Sequence, residues 1–234
     1  MANSLYDGIG MKFFITSSGT GIGKTLVTTT LCAQWRRQGH GVTALKPVIS
    51  GFDPADPGSD SALILQSCGL TANAETMAAI SPWRYTAPLA PNMAAAREGN
   101  PVDMAALTAF CLNAAKNHYT LVEGVGGVMA PITDRHTMLD WMVALGWPVI
   151  MTTGSYLGSI SHTLTAIDAL RTRGLRIHAL IVCESAESGV PFIETLATLE
   201  SFLQGAFPIV SLPRLPPTPT PWETMPDISW IGAI

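Results

Sequence analysis

The sequence predicts an α/β domain in which a mostly parallel central sheet is flanked by helices on both faces. Two observations carry this. Short apolar runs alternate along the chain with stretches of helical periodicity, the order that builds strand–helix–strand units with parallel strands. The first apolar run also stops at small polar residues and glycines before a helical pattern opens, so a buried strand feeds a helix through a tight turn. With 234 residues, 47% of them apolar and 13% charged, the chain is large enough for one core without staples.

The first strand is Phe13-Phe14-Ile15, and its turn runs Ser17-Ser18-Gly19-Thr20-Gly21-Ile22-Gly23 into Lys24-Thr25. Glycines at 19, 21 and 23 let successive backbone N–H groups face inward, and the helix start adds its positive dipole end at the same place. This is the make-up of a phosphate-binding loop, in which Lys24 reaches the β- and γ-phosphates and the Thr25 hydroxyl ligates Mg²⁺. The strict pattern asks for Gly six residues before the lysine, where this chain has Ser18. The strand and helix on either side put nucleotide binding ahead of an ordinary Gly-rich turn. The fold class expected is therefore a single-domain P-loop NTPase.

Residues 25–38 follow as a helix that stops at Arg36-Arg37-Gln38-Gly39, and Val42–Leu45 is a second strand ended by Lys46-Pro47. Residues 51–60 are a turn-rich loop, and Ser59-Asp60 opens a helix from Ala62 to Cys68. The four prolines of 80–101 predict irregular chain with one short helix around Met93–Arg97. Residues 103–117 return to helical spacing. Tyr119–Val122 is a third buried strand, ending in Glu123-Gly124-Val125-Gly126-Gly127. The strand Pro148–Thr152, a helix from Ser159 to about Arg173, the strand Ile177–Val182, a helix over 191–203 and a short strand Ile209–Leu212 complete the order. The tail, with six prolines from Pro213 to Pro226, is expected to lie extended on the surface.

Composition narrows the function. A net charge of −4 offers no basic face for a polyanion, so no nucleic-acid partner is expected. No apolar run has the length of a membrane span, so no membrane partner is expected either. Met1 to Gly10 lacks the basic start and apolar core of a signal peptide and reads as a short extension or expression remnant before a folded part over 11–234. Cys32, Cys68, Cys111 and Cys183 make no metal or redox spacing and read as free thiols in a reducing cytosol, so the expected location is cytoplasmic.

Three acidic or basic positions could join the loop. Asp60 and Glu123 both follow strand-end loops and could reach a metal held by Thr25, the hard oxygen set that suits Mg²⁺. Taken alone, Asp60 reads as a helix cap ahead of a metal ligand. Glu123 ends a buried run at a strand's C-terminal edge, where an unpartnered charge is costly, and reads as a ligand. Lys46 is either a solvated lysine leaving a strand or a second cation for transferring phosphate. Ser50 lies in reach of a substrate.

The ordered set Thr20–Thr25, Lys46-Pro47-Val48-Ile49-Ser50-Gly51, Ser59-Asp60-Ser61-Ala62 and Leu121–Gly127 resembles the dethiobiotin synthetase family. The likeness continues through Pro131, Asp140-Trp141, Pro148–Ile150, Leu157–Thr163 and Leu212-Pro213, nearly the whole chain after Met11. It implies an ATP-dependent ring closure: carbon dioxide adds to one amine of 7,8-diaminononanoate, the carbamate takes the γ-phosphate, and the second amine closes a cyclic urea. By resemblance Lys24 and Lys46 are catalytic, and Thr25, Asp60 and Glu123 hold Mg²⁺. The nucleotide is taken by Gly21, Ile22, Gly23, Lys24, Thr25 and Leu26, by Asp60, and by Glu123, Gly124, Val125 and Gly126. The base end is Cys183, Glu184, Leu212, Pro213 and Arg214. The substrate site is Thr20, Lys46 and Ser50, with Leu157, Gly158, Ser159 and Ser161 taking its carboxylate from a partner subunit, which implies a homodimer. The chain departs from the family at Gly21, where an acidic residue is usual, and at Cys183-Glu184, where an Asn-Asp pair reads adenine. A thiol lacks the amide's paired donor and acceptor, which opens the base preference.

The alternative is a partitioning or septum-type switch ATPase acting through partner binding. Those proteins carry a second lysine early in the loop, where this chain has Gly19.

Overall fold

The computed structural model describes residues 10–116 and 119–233. Six strands form one parallel sheet: β1 (Met11–Ser17), β2 (Val42–Leu45), β5 (Tyr119–Glu123), β6 (Val149–Gly154), β7 (Ile177–Cys183) and β8 (Ile209–Leu212). Their order across the sheet is β2-β5-β1-β6-β7-β8, with every pairing parallel. The chain runs from β1 to the edge strand β2, returns through β5 beside β1, and then builds outward on the other side through β6, β7 and β8. That reversal beside β1 is the switch point at which ligands bind in such sheets, beyond the strands' C-terminal ends. β5 separates β1 from β2, so the first strand–helix–strand unit is not made of neighbours.

β1 sits centrally, and Phe13, Phe14 and Ile15 are all buried, which is why the run is apolar without alternation. The helix α1 (Lys24–Arg37) starts at Gly23 and ends in Arg36 and Arg37, where the dipole favours cations. The remaining helices are α2 (Asp60–Ser67), α3 (Ala74–Ile80), α4 (Pro91–Glu98), α5 (Met104–Ala114), α6 (Met138–Leu145), α7 (Ser159–Thr172) and α8 (Phe192–Leu203).

Most expected elements are present within a residue or two, and the helix read to residue 117 ends at Ala114. The extension read over residues 1–10 lies, but for Gly10, outside the described residues. Three features differ. Residues 80–101 are not mainly irregular: β4 (Trp83–Tyr85) pairs in parallel with β3 (Val48–Ser50), and α4 starts with Pro91 at its first turn. Pro47 ends β2, but its carbonyl accepts from Trp83 N–H at 3.0 Å and carries the chain into this second sheet. The helices α3 and α6 go unread because two turns give little periodicity. Their signals are capping boxes, Asn73 with Thr76 and Thr137 with Asp140.

The tail is the third difference. It is not simply draped: Trp222, Ile228 and Ile231 are buried, and short helical turns form at Pro221–Glu223 and Ser229–Ala233. α1 holds it through polar side chains. Trp35 Nε1 donates to Ser229 O at 2.8 Å, Gln34 Nε2 donates to Pro226 O at 2.8 Å, and Gln34 Oε1 accepts from Ile228 N–H at 2.9 Å. The Trp35 ring also stacks on Tyr119 at 4.1 Å, so one helix face serves both core and tail.

His178 on β7 completes the grip, with Nε2 2.7 Å from Ile231 O and Nδ1 3.3 Å from an Arg176 amine. The guanidinium can only donate, so Nδ1 accepts and the proton sits on Nε2. Burial lowers the imidazole's pKa, the Ile231 bond opposes this, and Arg176 adds to it. A folded-state value below the ordinary 6.5 means that this stability is present above pH 6.5 and lost as pH falls through the lowered value. Chemical denaturation from pH 8 to 5 should therefore show stability falling at the acid end, and His178→Gln should flatten that fall. An unchanged acid limb in the variant would remove His178 from the account.

Candidate active site

The ends of β1, β2 and β5 bring five predicted residues into one cluster. Glu123 finishes β5 fully buried, and its Oε1 accepts from Lys46 Nζ at 2.7 Å. Lys46 also donates to Gly124 O at 2.9 Å and pairs with Asp60 Oδ2 at 2.9 Å. Burial works against the Lys46 charge, but the two carboxylates outweigh it and raise its pKa. Asp60 is likewise lowered: burial alone would raise it, and the Lys46 charge and hydrogen bonds from Lys46 and Thr25 win. Lys46 is thus neither solvated nor a bystander.

Asp60 is not the cap of α2. Ser59 is, accepting weakly from Ala62 N–H at 3.4 Å, while Asp60 occupies the first helical position and turns its carboxylate to the site. Thr25 Oγ1 lies 2.7 Å from Asp60 Oδ1 and 2.8 Å from Glu123 Oε1. A hydroxyl has one proton, so it cannot donate to both carboxylates at once. Glu123 Oε2 is buried with no partner. Three converging oxygens and an orphaned fourth are a donor set for a hard cation. Among the described residues no three His, Cys, Asp or Glu side chains gather for a metal, so the hydroxyl is the third protein ligand such an ion would need.

The loop itself is pinned from inside. Lys24 Nζ donates to Gly126 O at 2.8 Å and Ser17 Oγ at 3.0 Å, and the Ser17 hydroxyl, with one proton to give, lies 2.5 Å from Gly19 O and 3.0 Å from Gly126 O. Burial first, then the nearby Lys46 charge, lowers the Lys24 pKa to about 8. Gly23 must be glycine twice over: its φ is 90°, and a Cβ there would lie 2.6 Å from Cys183 Sγ. Ile22 and Leu26 flank it, half-buried.

A cavity of about 820 Å³ opens beside the loop. Of the residues expected in a site, Thr20 and Ser50 (substrate) and Val125 and Gly126 (nucleotide) line it, together with Ser18, Pro88, Leu89, Pro91, Val128, Met129, His162 and Ala166, which sequence reasoning did not single out. The Ser50 hydroxyl is buried with no partner. Pro88 and Pro91 come from the segment read as irregular, and rigid proline walls are the signal that could have found it. The residues that the resemblance assigns to the base end also meet: Cys183 pairs with Leu212 across β7 and β8, Glu184 N–H donates to Leu212 O at 2.9 Å, and Arg214 N–H donates to Glu184 Oε2 at 2.9 Å. Pro213 lies between. Burial pushes the Cys183 thiol up to about 12.

Leu157, Gly158, Ser159 and Ser161 are not brought to that cavity. They form the start of α7, where Leu157 is 92% exposed and Gly158 caps the helix at φ 94°. His162, one position further on, reaches the cavity wall, as do Thr165, Ala166 and Ala169 further along α7.

The fold and this site define a nucleotide-binding P-loop protein. A family profile described as an AAA domain matches residues 11–220. Solved structures agree on the fold alone: a ParA family ATPase from Chlorobium tepidum aligns with TM-score 0.53 at 12% identity, covering 88% of this chain and 86% of that one. A chain of the Aquifex aeolicus MinC:MinD cell division protein complex aligns with TM-score 0.53 at 14% identity, covering 88% and 83%. Sequence relatives are more specific. The ATP-dependent dethiobiotin synthetase BioD of Acidiphilium cryptum is 43% identical over 210 residues, 87% of this chain and 93% of the relative. Those of Methylobacterium nodulans and Caulobacter vibrioides are 46% and 45% identical, covering 76% and 87% of this chain and 83% and 92% of theirs. The chain belongs to the family of ATP-dependent dethiobiotin synthetases. The switch-ATPase reading is not favoured, since its likeness is one of fold.

Removing the Lys46 charge leaves Glu123 buried and unbalanced. Lys46→Met should cost about 3–5 kcal/mol of stability, and adding Glu123→Gln should recover most of it, read as a double-mutant cycle by denaturation. Additive losses would mean that the two side chains do not support one another.

Proposed function

We propose that this chain performs the Mg-ATP-dependent carboxylation and ring closure of 7,8-diaminononanoate to dethiobiotin, with release of ADP and phosphate. The observation that carries the reading is one connected cluster, Lys24, Thr25, Lys46, Asp60 and Glu123, set beside a mainly apolar cavity. An apolar channel suits the aliphatic chain of the diamine, and the phosphate-loop end suits its reacting amines.

Carbon dioxide is attacked by one amine, which loses a proton and becomes a carbamate. A carbamate oxygen then attacks the γ-phosphorus, and ADP leaves. The second amine attacks the activated carbonyl carbon, closing the ring, and phosphate departs with the oxygen. Nothing here asks a side chain for a covalent bond, so the protein's part is positioning and charge stabilisation. Lys24 serves the β- and γ-phosphates. Lys46 exchanges one of its three acceptors for an oxygen of the carbamate or transferring phosphate. Ser50 and Thr20 orient the substrate from the cavity wall. Thr25, Asp60 and Glu123 would hold Mg²⁺, which neutralises phosphate charge.

The carboxylate end of the substrate is assigned to Leu157, Gly158, Ser159 and Ser161. These stand outside the cavity within one chain and expose a leucine almost fully, which supports their service to a second copy. The active form is accordingly a homodimer, and its place is the cytoplasm. No helix among the described residues is long and apolar enough to cross a membrane.

Phosphate release with bicarbonate and Mg-ATP should depend on the diamine, with dethiobiotin identified by mass. Release indifferent to the diamine would overturn the reading. In the same assay CTP and GTP should support turnover within about a hundredfold of ATP, because no amide pair is present to reject them. An ATP-only response would show that the backbone reads the base unaided. Leu157→Asp should shift the light-scattering mass to that of a monomer and remove turnover while leaving ATP-analogue binding in place. A fully active monomer would end the shared-site reading.

A further inference from the structure

Three hydroxyls, two of them fully buried, link the phosphate loop to the start of α7. Ser18 Oγ lies 2.8 Å from Thr153 Oγ1, Thr153 Oγ1 lies 2.6 Å from Thr163 Oγ1, and Thr163 Oγ1 donates to Ser159 O at 2.6 Å. The chemistry fixes every direction in this chain. A carbonyl only accepts, so Thr163 spends its single proton on Ser159 and must accept from Thr153. Thr153 has then spent its own proton and must accept from Ser18. Thr153 and Thr163 are 0% exposed and Ser159 is 2% exposed, so the Thr153–Thr163 and Thr163–Ser159 contacts are shielded from water. Ser18 itself is half-buried on the cavity wall, and its N–H donates to Thr152 O at 3.0 Å.

At the far end Thr163 stands in the second turn of α7 and bonds back to the carbonyl four residues earlier, in the helix's first turn. The link between elements is therefore Ser18–Thr153–Thr163, from the phosphate loop through the end of β6 into α7. The near end is the position at which the phosphate loop departs from its strict glycine pattern. A glycine at 18 would have no hydroxyl to start the chain.

We propose that Ser18, Thr153 and Thr163 are positioning residues: a directed hydroxyl relay that couples phosphate-loop closure on the nucleotide to the setting of the α7 start. Only the identity of the ligand at the far end, the substrate carboxylate, rests on the function proposed above. The short contacts leave little slack, so displacement of Ser18 is carried to Thr153 or breaks the chain. Coupling between two sites requires such an element, whose arrangement both ligands bias.

Thr153→Val is the informative change. It is close to isosteric and breaks both links at their middle, yet it leaves the Thr163 bond to Ser159 intact. Thr153→Ser keeps the hydroxyl. The first readout is hydrogen exchange of the 156–164 segment on adding Mg²⁺ with a non-hydrolysable ATP analogue. In the wild type exchange should slow about fivefold, the low end of common couplings. The response should vanish in Thr153→Val and persist in Thr153→Ser. The second readout is diaminononanoate affinity with and without the analogue, where the same coupling should appear and be lost in the valine variant. If Thr153→Val proves unfolded by circular dichroism, Ser18→Ala, at a half-buried position, breaks the first link alone and should lose the response in the same way. An exchange response that survives both Thr153→Val and Ser18→Ala overturns the relay, as does a wild type with none. An exchange response that follows the relay while the diamine fails to bind supports the relay and rejects the substrate.

Discussion

The structure depends on one buried ammonium. Lys46 stands at the end of β2 with its charge facing Glu123, which is fully enclosed, and Asp60, which is partly so. Without it the two acids would face one another with no cation between them. Lys24 is close enough to act on both carboxylates, so two ammoniums face the two acids around Thr25. The orphaned Glu123 Oε2 is what keeps the cluster from being a closed ion pair and leaves an oxygen free for a further cation. The carbonyl of Gly124 takes the third donor of Lys46 and so ties the β5 loop to the same atom.

Sheet order explains why these residues meet. Glu123 pairs with Ile15 across β5 and β1, two residues before the phosphate loop begins, and β2 lies on the other side of β5. Three strand ends therefore deliver the loop, the acid and the lysine to one rim, while α2 supplies Asp60 by starting there. The tail stabilises the opposite side of α1. Gln34 and Trp35 hold it two to three turns along from Lys24, so the helix that presents the phosphate-loop lysine is fixed at both ends of its length.

What could be read in the sequence follows from how local each signal is. The strand–glycine–helix turn is contiguous, and β1, α1 and β5 with Glu123 lie where expected. Lys46 and Asp60 stood undecided between surface and site because their partners are 77 and 14 residues away, distances that no local pattern encodes. The small β3–β4 sheet was hidden by prolines, since the reading weighed their lost donors and not the carbonyl of Pro47, which still accepts. The tail's prolines likewise suggested exposure, whereas Trp222, Ile228 and Ile231 are the residues that anchor it. Ser18 seemed a flaw in a motif and proves to be hydrogen-bonded to Thr153 on the next strand.

The base end of the site follows the same logic of mutual constraint. Gly23 has no room for a side chain because Cys183 packs against it, and Cys183 is small enough to sit there. Its thiol is neutral, and the neighbouring Glu184 carboxylate accepts from Arg214 N–H. The acid is thus engaged in joining the β7 and β8 loops. Cys183 is committed to packing against the phosphate loop, and Glu184 to joining the strand ends beside it. At the other end of the loop, Lys24 and Thr25 are likewise held by contacts within the protein, Lys24 by Ser17 and Gly126 and Thr25 by Asp60 and Glu123.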